Sequence, residues 1–540
     1  MEKVYYKMKK ILNYRKEILL FCFIFISIFC AIMVEPISDL DELWNYNAAN
    51  TISKGLIPYK DISMITTPLL PMITSVFLNV ITNEVMVTRL IASLIGAGVI
   101  FCIYKILTKT IKEENMCLIA TALIGILFKD VYALDYNLSV VLIALIILYK
   151  EIKMQKKYIT EKSEEYKNKT EVQDEIKEKK NKNILNFQNL IIGILAGLAF
   201  CTKQSTGAIL SIIVIISPLL KLECKKKIKE YFKESLIRIV GIIIPIFLFC
   251  LYLIWTKSLT HFIDYAVSGI STFSNKISYM QLFKNELLSI KILALGVPLT
   301  ICILAIIIII NSKTKNKIRN ISNIRLLFIY SISILITMYP ISDKVHFLMG
   351  STITIISLVY LIFLFSEFVY SKISYKRKKR FYKIVSFIFW LNILVGIVLF
   401  DIENFIIYLN LEKNDTINHY KHIEISNYLK QQIDLIDKFI IEEEKKGKKV
   451  YILDAEAAVY MIPIDKYNKN YDLFLKGNLG KDGEDGVISD IQKKSKDVIY
   501  LISKPDKNLN WQTPIKVIEY ARENLEKTGE ISSYDIYENK

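Results

Sequence analysis

The sequence predicts an α-helical, polytopic membrane protein with a small α/β domain at its carboxyl end. Hydrophobic residues make up 53% of the 540 residues and the mean hydropathy is +0.35, which is typical of a chain that lies largely in lipid. Apolar runs of about 15 to 25 residues recur, and most charges lie in the gaps between them. Because the runs are continuously apolar and do not alternate, they exclude a β-barrel. Residues 402–540 lack such long runs.

The lysines and arginines predict which loops lie in the cytoplasm, where membrane proteins carry an excess of positive charge. Basic gaps occur at residues 1–17, 105–113, 150–187, 221–238, 311–325 and 371–383. Placing all six gaps on one side requires about eleven spans, near residues 18–34, 86–104, 116–131, 137–149, 188–202, 206–220, 239–255, 292–310, 326–339, 347–366 and 384–400. We therefore expect a cytoplasmic amino terminus and an extracytoplasmic carboxyl end.

Three segments need a separate interpretation: the first apolar run, a short apolar segment with two prolines, and a long charged segment. Residues 18–34 lack a small-residue cleavage site, so they are predicted to be an uncleaved first span and not a signal peptide. Residues 67–81 carry two prolines and are short for a crossing, which favours a helix in the outer leaflet. Residues 150–187 alternate Lys with Glu and are predicted to be a solvated cytoplasmic insertion, either helical or disordered.

The expected domains are a transmembrane domain at 1–401, with a first outer loop at 35–85, and a soluble extracytoplasmic domain at 402–540. In the second domain, "KKVYILD" and "DVIYLIS" read as strands and "TPIKVIEYARENLE" as a helix. The eight cysteines show no disulfide or metal-binding framework. The net charge of +17 is spread over short clusters between spans, so it indicates anionic lipid headgroups and no nucleic acid.

Polar residues gather in the predicted outer loops. Carboxylates from separate loops share this face with several cations, and such a mixture suits a reaction that deprotonates a hydroxyl and expels a phosphate. The candidate site residues are Asp39, Asp41, Glu42, Tyr59, Asp61, Arg89, Asp135, Lys203, Gln204, Asp343 and His346.

Each of these residues also has a simpler interpretation that remains open. Asp41 and Glu42 are equally suited to the first turn of an interfacial helix, where acids favour the helix dipole. Arg89 at a helix end fits a snorkelling anchor, and Asp135 before Asn137 fits a turn. His346 fits a locally hydrogen-bonded interface histidine, and the sequence does not support a His-based metal cage.

The chain resembles the GT-C superfamily of lipid-carrier-dependent membrane glycosyltransferases, which contains bacterial aminoarabinose transferases and protein O-mannosyltransferase-like enzymes. The matching stretch is "DELWNYNAANTISKGLIPYKDISMITTPLLPMITSVFLNVITNEVMVTRL", residues 41–90, with an acidic pair, Pro-Tyr-x-Asp and a final Arg. Further on, "YALDYNLSV" is similar to the second acidic position, here Asp135, and "GILAGLAFCTKQS" to a Gly-rich span that ends in Lys203 and Gln204. Some members carry Lys before the proline of the interfacial helix, where this chain has Thr67.

The resemblance implies a sugar donor linked to undecaprenyl phosphate or a similar polyprenyl carrier, and an outward-facing cavity in the plasma membrane. Asp41 is then the expected catalytic carboxylate of an inverting single displacement onto an acceptor hydroxyl of a glycan, lipid or protein. Glu42 and Asp135 are expected to position the substrate or a divalent ion. Whether such an ion binds stays open, and its candidate ligands are Asp41 and Asp135. Because Thr67 replaces the family's lysine, Arg89 or Lys203 must hold the phosphate.

Two other functional classes remain as alternatives. A transporter or flippase of lipid-linked glycans would carry broken helices and ionisable groups near the midplane of both halves, whereas here the polar residues gather at one face. A non-catalytic envelope scaffold would use the carboxyl-terminal domain and would need fewer spans than about eleven. The gathering of polar residues at one face and the large number of spans therefore both favour the glycosyltransferase.

Overall fold

The computed structural model describes residues 2–37, 40–165, 171–220, 228–272, 276–284, 286–314, 321–371, 375–468, 470–507, 509 and 512–540. The candidate residue Asp39 lies outside these ranges. Of the charged insertion at 150–187, the described parts are helical, as continuations of two long helices.

Long apolar helices make up most of the chain. The first thirteen helices up to the last loop of the bundle are α1 (Glu2–Ile32), α2 (Leu40–Ser53), α3 (Leu69–Val80), α4 (Val85–Thr110), α5 (Glu114–Leu127), α6 (Tyr136–Glu165), α7 (Glu171–Thr202), α8 (Gln204–Ile216), α9 (Ile228–Trp255), α10 (Leu259–Phe262), α11 (Leu288–Lys313), α12 (Ile321–Leu335) and α13 (Lys344–Ser371). Helix α14 (Tyr375–Asn410) leads to the carboxyl-terminal domain. Short 3-10 segments lie at Lys129–Val131, Ser217–Leu220, Gly269–Thr272, Tyr279–Phe283 and Ile336–Met338, and a π-helical turn at Ile263–Ser268.

Within the described residues, seven helices are long and apolar enough to cross a membrane: Val85–Thr110, Asn183–Thr202, Ile228–Trp255, Leu288–Lys313, Ile321–Met338, Lys344–Val369 and Lys383–Asn410. Other apolar helices, such as α5 with 14 residues, are shorter than these seven. The predicted polytopic helical fold is thus confirmed, whereas the predicted count of about eleven spans is not.

Glycines allow α7 and α9 to pack backbone against backbone. A Cβ atom on Gly193 would lie 2.2 Å from the carbonyl oxygen of Arg238, and one on Gly241 would lie 2.5 Å from that of Leu190. Small residues permit such close approach between membrane helices. The Gly-rich stretch before Lys203 therefore serves this helix pair, and it fixes the position of the turn between α7 and α8.

A buried ion pair joins five elements of the bundle on the side away from the carboxyl-terminal domain. Arg238 of α9 and Glu151 of α6 are fully buried, with 2.5 Å between Nη1 and Oε1. Arg238 also donates to Asn189 Oδ1 of α7 and to the carbonyl oxygen of Val214 in α8. The Tyr330 hydroxyl of α12 donates to Glu151 Oε1 at 3.4 Å. The bidentate capacity of arginine lets one side chain hold several helices together.

We expect Arg238→Met to destabilise the protein by about 3 to 5 kcal/mol, because it takes the Arg238 guanidinium away from the buried Glu151 carboxylate. The measurement is thermal unfolding of the detergent-solubilised protein. The double variant Glu151→Gln/Arg238→Met removes both charges and should recover much of the loss. A double variant as unstable as the single one would contradict this account.

Helices α2 and α3 lie outside the bundle, between α1 and α4. Helix α2 is buried along most of its length, although its sequence is polar. Helix α3 has 12 residues, which are too few to cross a bilayer, and it buries Leu70 and Leu78. Its opposite face exposes large apolar side chains, Ile73, Val76, Phe77 and Val80. This arrangement agrees with a helix that lies in the membrane surface.

The carboxyl-terminal domain contains a four-stranded sheet in the order β1-β2-β4-β3. Its strands are β1 (Lys449–Ile452), β2 (Val498–Ser503), β3 (Glu526–Ile531) and β4 (Tyr534–Glu538), with β1 and β2 parallel and the other pairs antiparallel. Its helices are α15 (Asn427–Lys445), α16 (Ala457–Met461), α17 (Gly483–Lys493) and α18 (Ile515–Asn524). The predicted α/β character of this region is confirmed.

Candidate functional site

The acidic pair lies in the first turn of α2, where carboxylates interact favourably with the helix dipole. The two side chains face different surroundings. Asp41 is exposed, whereas Glu42 is 7% exposed and forms a bidentate pair with Arg89. The distances are 2.8 Å from Arg89 Nε to Glu42 Oε1 and 3.0 Å from Nη2 to Oε2. Of the pair, Asp41 is therefore the carboxylate that solvent can reach.

All five N–H donors of Arg89 are directed at protein acceptors. Besides Glu42, they meet the backbone carbonyl oxygens of Ile32 at 3.3 Å, Glu35 at 2.6 Å and Pro36 at 3.4 Å. The guanidinium is only 1% exposed. Arg89 thus joins the end of α1, the start of α2 and the start of α4, and it fixes where the acidic turn begins.

We expect Arg89→Met to lower the unfolding temperature of the protein by several degrees, because it leaves Glu42 buried without a partner. If Arg89 instead held only a phosphate, the same variant would raise KM for the donor and leave the unfolding temperature unchanged. Thermal unfolding and donor titration of this one variant distinguish the two roles. The double variant Glu42→Gln/Arg89→Met is the matched control for the loss of the pair.

A second cluster forms where the loop before α6 meets the turn between α7 and α8. Asp135 is 7% exposed and accepts from the backbone N–H of Asn137, as in the turn that the sequence allows. Lys203 Nζ donates to Asn137 Oδ1 at 2.5 Å and lies 5.2 Å from the ring centre of Tyr136. The ring and the amide hold the ammonium group beside Asp135.

Burial lowers the pKa of Lys203 to about 8, and the charge of Asp135 opposes this effect. A lysine with such a pKa is mostly charged at neutral pH but loses its proton readily above it. The protonation state of Lys203 therefore controls how strongly an anion binds beside its ammonium group.

Asp343 and His346 add a third element at the start of α13. The Oδ1 atom of Asp343 accepts from the backbone N–H of His346 at 2.8 Å and lies 2.9 Å from its Nδ1. The local bond is the one expected for an interface histidine. The charges of Asp135 and Lys203 also act on His346, so this pair lies close to the second cluster.

The three elements converge around Tyr136. Burial raises the pKa of its phenol well above the usual value. Negative charge adds to the effect, and it comes from Asp135, Asp41 and Asp343. Three loops that are far apart in sequence thus bring carboxylates to one ring, which Lys203 also contacts. Sequence reasoning overlooked Tyr136 and Asn137 because an aromatic residue and an amide between two apolar runs carry no distinctive signal.

Three other candidates stabilise the first outer loop. Tyr59 is 2% exposed, has a φ angle of 68° and donates its hydroxyl to the carbonyl oxygen of Thr66 at 2.7 Å. Asp61 Oδ2 accepts from the backbone N–H of Ile57 at 2.9 Å, which closes a turn. Gln204 Nε2 donates to the carbonyl oxygen of Ile65 at 2.8 Å. These contacts fix the loop that passes beside the cluster.

The carboxyl-terminal domain covers the same loop with residues 470–480. Leu473 and Leu475 pack with Trp44, which makes an edge-to-face contact with Tyr136 at 6.0 Å between ring centres. Asp472 is 2% exposed, and its Oδ2 accepts from the backbone N–H of Ser63 at 3.3 Å. Nothing in the sequence around Asp472 indicated that it contacts a loop some 400 residues earlier.

Burial raises the pKa of Asp472 to about 7, although hydrogen bonds from Ser63 oppose it. Because the folded protein binds this proton more tightly than the unfolded chain, stability should be greatest below about pH 4 for this group and should fall as pH rises towards 7. We expect Asp472→Asn to reduce this dependence between pH 5 and 8 in thermal unfolding. An identical pH dependence in the variant would contradict the assignment, and Asp482→Asn serves as an exposed control.

Among the described residues, no group of three or more His, Cys, Asp or Glu side chains is placed to hold a metal ion. Asp41 and Asp135, the candidate ligands from the sequence, both act on Tyr136 but bring no third ligand of these types with them.

No protein-family model matches the sequence, and no curated protein sequence matches it. Solved structures do. ArnT from Cupriavidus metallidurans in the apo state matches with a TM-score of 0.52 and 11% identity, over 98% of each chain. ArnT bound to undecaprenyl phosphate matches with a TM-score of 0.48 and 11% identity, also over 98% of each chain. The apo oligosaccharyltransferase of Archaeoglobus fulgidus has a TM-score of 0.48 and 9% identity, over 83% of this chain and 63% of its own.

These three structures are of two proteins, both of which are GT-C family glycosyltransferases. At 11% identity, the match with apo ArnT concerns the fold, and it extends through the bundle and the carboxyl-terminal region. The predicted resemblance to the GT-C fold is thereby confirmed, and the chain is a multi-pass membrane protein.

Proposed function

We propose that this chain is an integral membrane glycosyltransferase, which moves a sugar from a polyprenyl-phosphate donor to a hydroxyl acceptor at the outer face of the membrane. The observation that carries the proposal is that Lys203, Asn137 and Tyr136 lie together beside Asp135. Trp44, in the same helix as Asp41 and Glu42, packs edge-to-face against Tyr136. This arrangement brings a helix with a solvent-accessible carboxylate and a partly buried cation to one place. The ArnT-like fold and the motifs in residues 41–90 support the same activity.

In this proposal Asp41 orients the acceptor hydroxyl and takes its proton. The acceptor oxygen forms a bond to the anomeric carbon while the bond from that carbon to the phosphate oxygen breaks. The bonding electrons leave with the polyprenyl phosphate. A single displacement of this kind inverts the configuration of the anomeric carbon. Asp41 suits the role because its carboxylate is exposed in the first turn of α2.

Lys203 receives the negative charge that develops on the departing phosphate. Its ammonium group is already held by Asn137 and Tyr136, so it needs no rearrangement when the charge appears. We assign this role to Lys203 and not to Arg89, since the five donors of Arg89 are occupied by Glu42 and three carbonyl groups. Thr67, which stands where some family members carry lysine, donates to the carbonyl oxygen of Phe200.

The remaining candidates position these two groups. Glu42 and Arg89 fix the start of α2, and hence Asp41. Asp135 favours the charged form of Lys203. Tyr59, Asp61 and Gln204 hold the outer loop against the bundle. We expect the donor to arrive through the lipid, because nucleotide sugars are not supplied outside the cell.

The test is reconstitution of the full-length protein in vesicles with radiolabelled polyprenyl-phosphate sugars and membrane extracts as acceptor. Transfer of label from the lipid to a second molecule supports the proposal, and the stereochemistry of the product tests the single displacement. Movement of intact labelled lipid across the bilayer without transfer would instead support the transporter alternative. Failure to process any donor would overturn the proposed activity.

A further inference from the structure

A second site lies at the opposite end of the bundle from Tyr136. A cavity of about 310 Å³ opens between α1, the end of α4 and the start of α5. Its charged lining residues are Lys16, Glu17, Lys105, Lys109, Lys112 and Glu114. None of these belongs to the candidate active site, because α1 and α4 each span the bundle between the two ends.

Positive charges outnumber negative charges in the lining of this cavity. Four lysines face two carboxylates, which leaves a net charge of +2. Glu17 is committed to Lys105, with 2.5 Å between Oε1 and Nζ. The Lys105 ammonium also lies 5.7 Å from the ring centre of Tyr149, so its place is fixed from two sides. Glu114 accepts from the hydroxyl of Tyr104 at 3.3 Å. The lining as a whole therefore keeps a surplus of positive charge, to which Lys16 and Lys112 contribute.

The walls of the cavity are amphipathic. Leu20 and Ile111 line it beside the lysines. Immediately outside, Ile18 and Leu19 of α1 are 60% and 68% exposed, as side chains that face lipid are. A ligand that places an anion among the lysines therefore has apolar surface directly beside it. A phospholipid has this combination of a charged head and apolar chains, and a free anion does not.

We propose that this cavity binds the phosphate headgroup of an anionic phospholipid, with the acyl chains lying along the apolar surface of α1. A phosphodiester with one negative charge matches the surplus of positive charge. Basic pockets between membrane helices on the cytoplasmic side bind anionic headgroups in this way. The site would fix the middle of α1 relative to the end of α4, and it does not depend on the enzymatic activity proposed above.

The test is native mass spectrometry of the full-length protein in detergent with added phosphatidylglycerol, phosphatidylcholine or inorganic phosphate. We expect phosphatidylglycerol to bind and phosphatidylcholine to bind far less. The variant Lys16→Gln/Lys112→Gln should bind phosphatidylglycerol about 30-fold more weakly, since each lysine near an anionic surface contributes a factor of about five. Lys16→Arg/Lys112→Arg should bind it as the native chain does.

The matched control is Lys229→Gln/Lys233→Gln, two exposed lysines at the start of α9, which lie at the same end of the bundle but outside the cavity. This control should change affinity by no more than about twofold. An equal loss in both glutamine variants would show that only general surface attraction is at work. Equal binding of phosphatidylcholine, or competition by inorganic phosphate at the lipid's own concentration, would also overturn the proposal, as would loss of binding in the arginine variant.

Discussion

Asp41→Asn is expected to lower kcat for sugar transfer by about 100-fold or more. The amide keeps the size and the hydrogen-bonding reach of the carboxylate but cannot take the acceptor proton. KM for the donor should change little, because Asp41 acts on the acceptor and lies in a different element from Lys203. Initial rates with a radiolabelled polyprenyl-phosphate sugar in reconstituted vesicles measure both constants.

The control for this change is Asp415→Asn, which alters an exposed carboxylate in the segment between α14 and the carboxyl-terminal domain. Its rate should equal that of the native chain. The unfolding temperature of both variants must also be measured, since Asp41 lies in the first turn of α2 and contributes to its stability. Native turnover by Asp41→Asn would remove this side chain from the mechanism.

Lys203→Gln is expected to cost about 100-fold to 1,000-fold in kcat, the range found when one donor to a developing anion is removed. Here the loss follows from the missing positive charge, because glutamine retains a hydrogen-bond donor. Product release should become faster in the variant, since the departing phosphate no longer meets a cation. Single-turnover and steady-state rates separate the two effects.

The pH profile gives an independent test of the same residue. The ammonium form is required, and burial has lowered the pKa of Lys203 to about 8, so the rate should fall as pH rises through about 8. Lys203→Arg keeps its charge throughout this range. Its rate should be lower than that of the native chain at pH 7 but should no longer fall between pH 7 and 9. An unchanged alkaline limb in this variant would assign the titration to another group.

The sequence predicted the polytopic helices well because continuous apolar runs have one stable arrangement in lipid. It also predicts that Asp41, Asp135 and Lys203 lie at one face, since the basic gaps indicate the side of each loop. The predicted number of spans is not confirmed, because apolar helices of 13 and 14 residues are shorter than the seven helices that are long enough to cross a membrane.

The partners of the charged residues were beyond what the sequence could predict. Glu42 and Arg89 are 47 positions apart, and a sequence pattern does not distinguish an arginine that awaits a phosphate from one already paired with a carboxylate. Asp472 and Ser63 are 409 positions apart. Such contacts depend on how two folded units fit together, which local periodicity does not encode.

The position of residues 470–480 over the first outer loop has a consequence for biosynthesis. The loop at 57–67 leaves the ribosome early, while the segment that covers it is made near the end of the chain. Because domains fold as they emerge from the ribosome, the helical bundle should insert into the membrane before residues 470–480 are made. We expect a chain that stops after α14 to reach the membrane with this loop uncovered and to transfer no sugar.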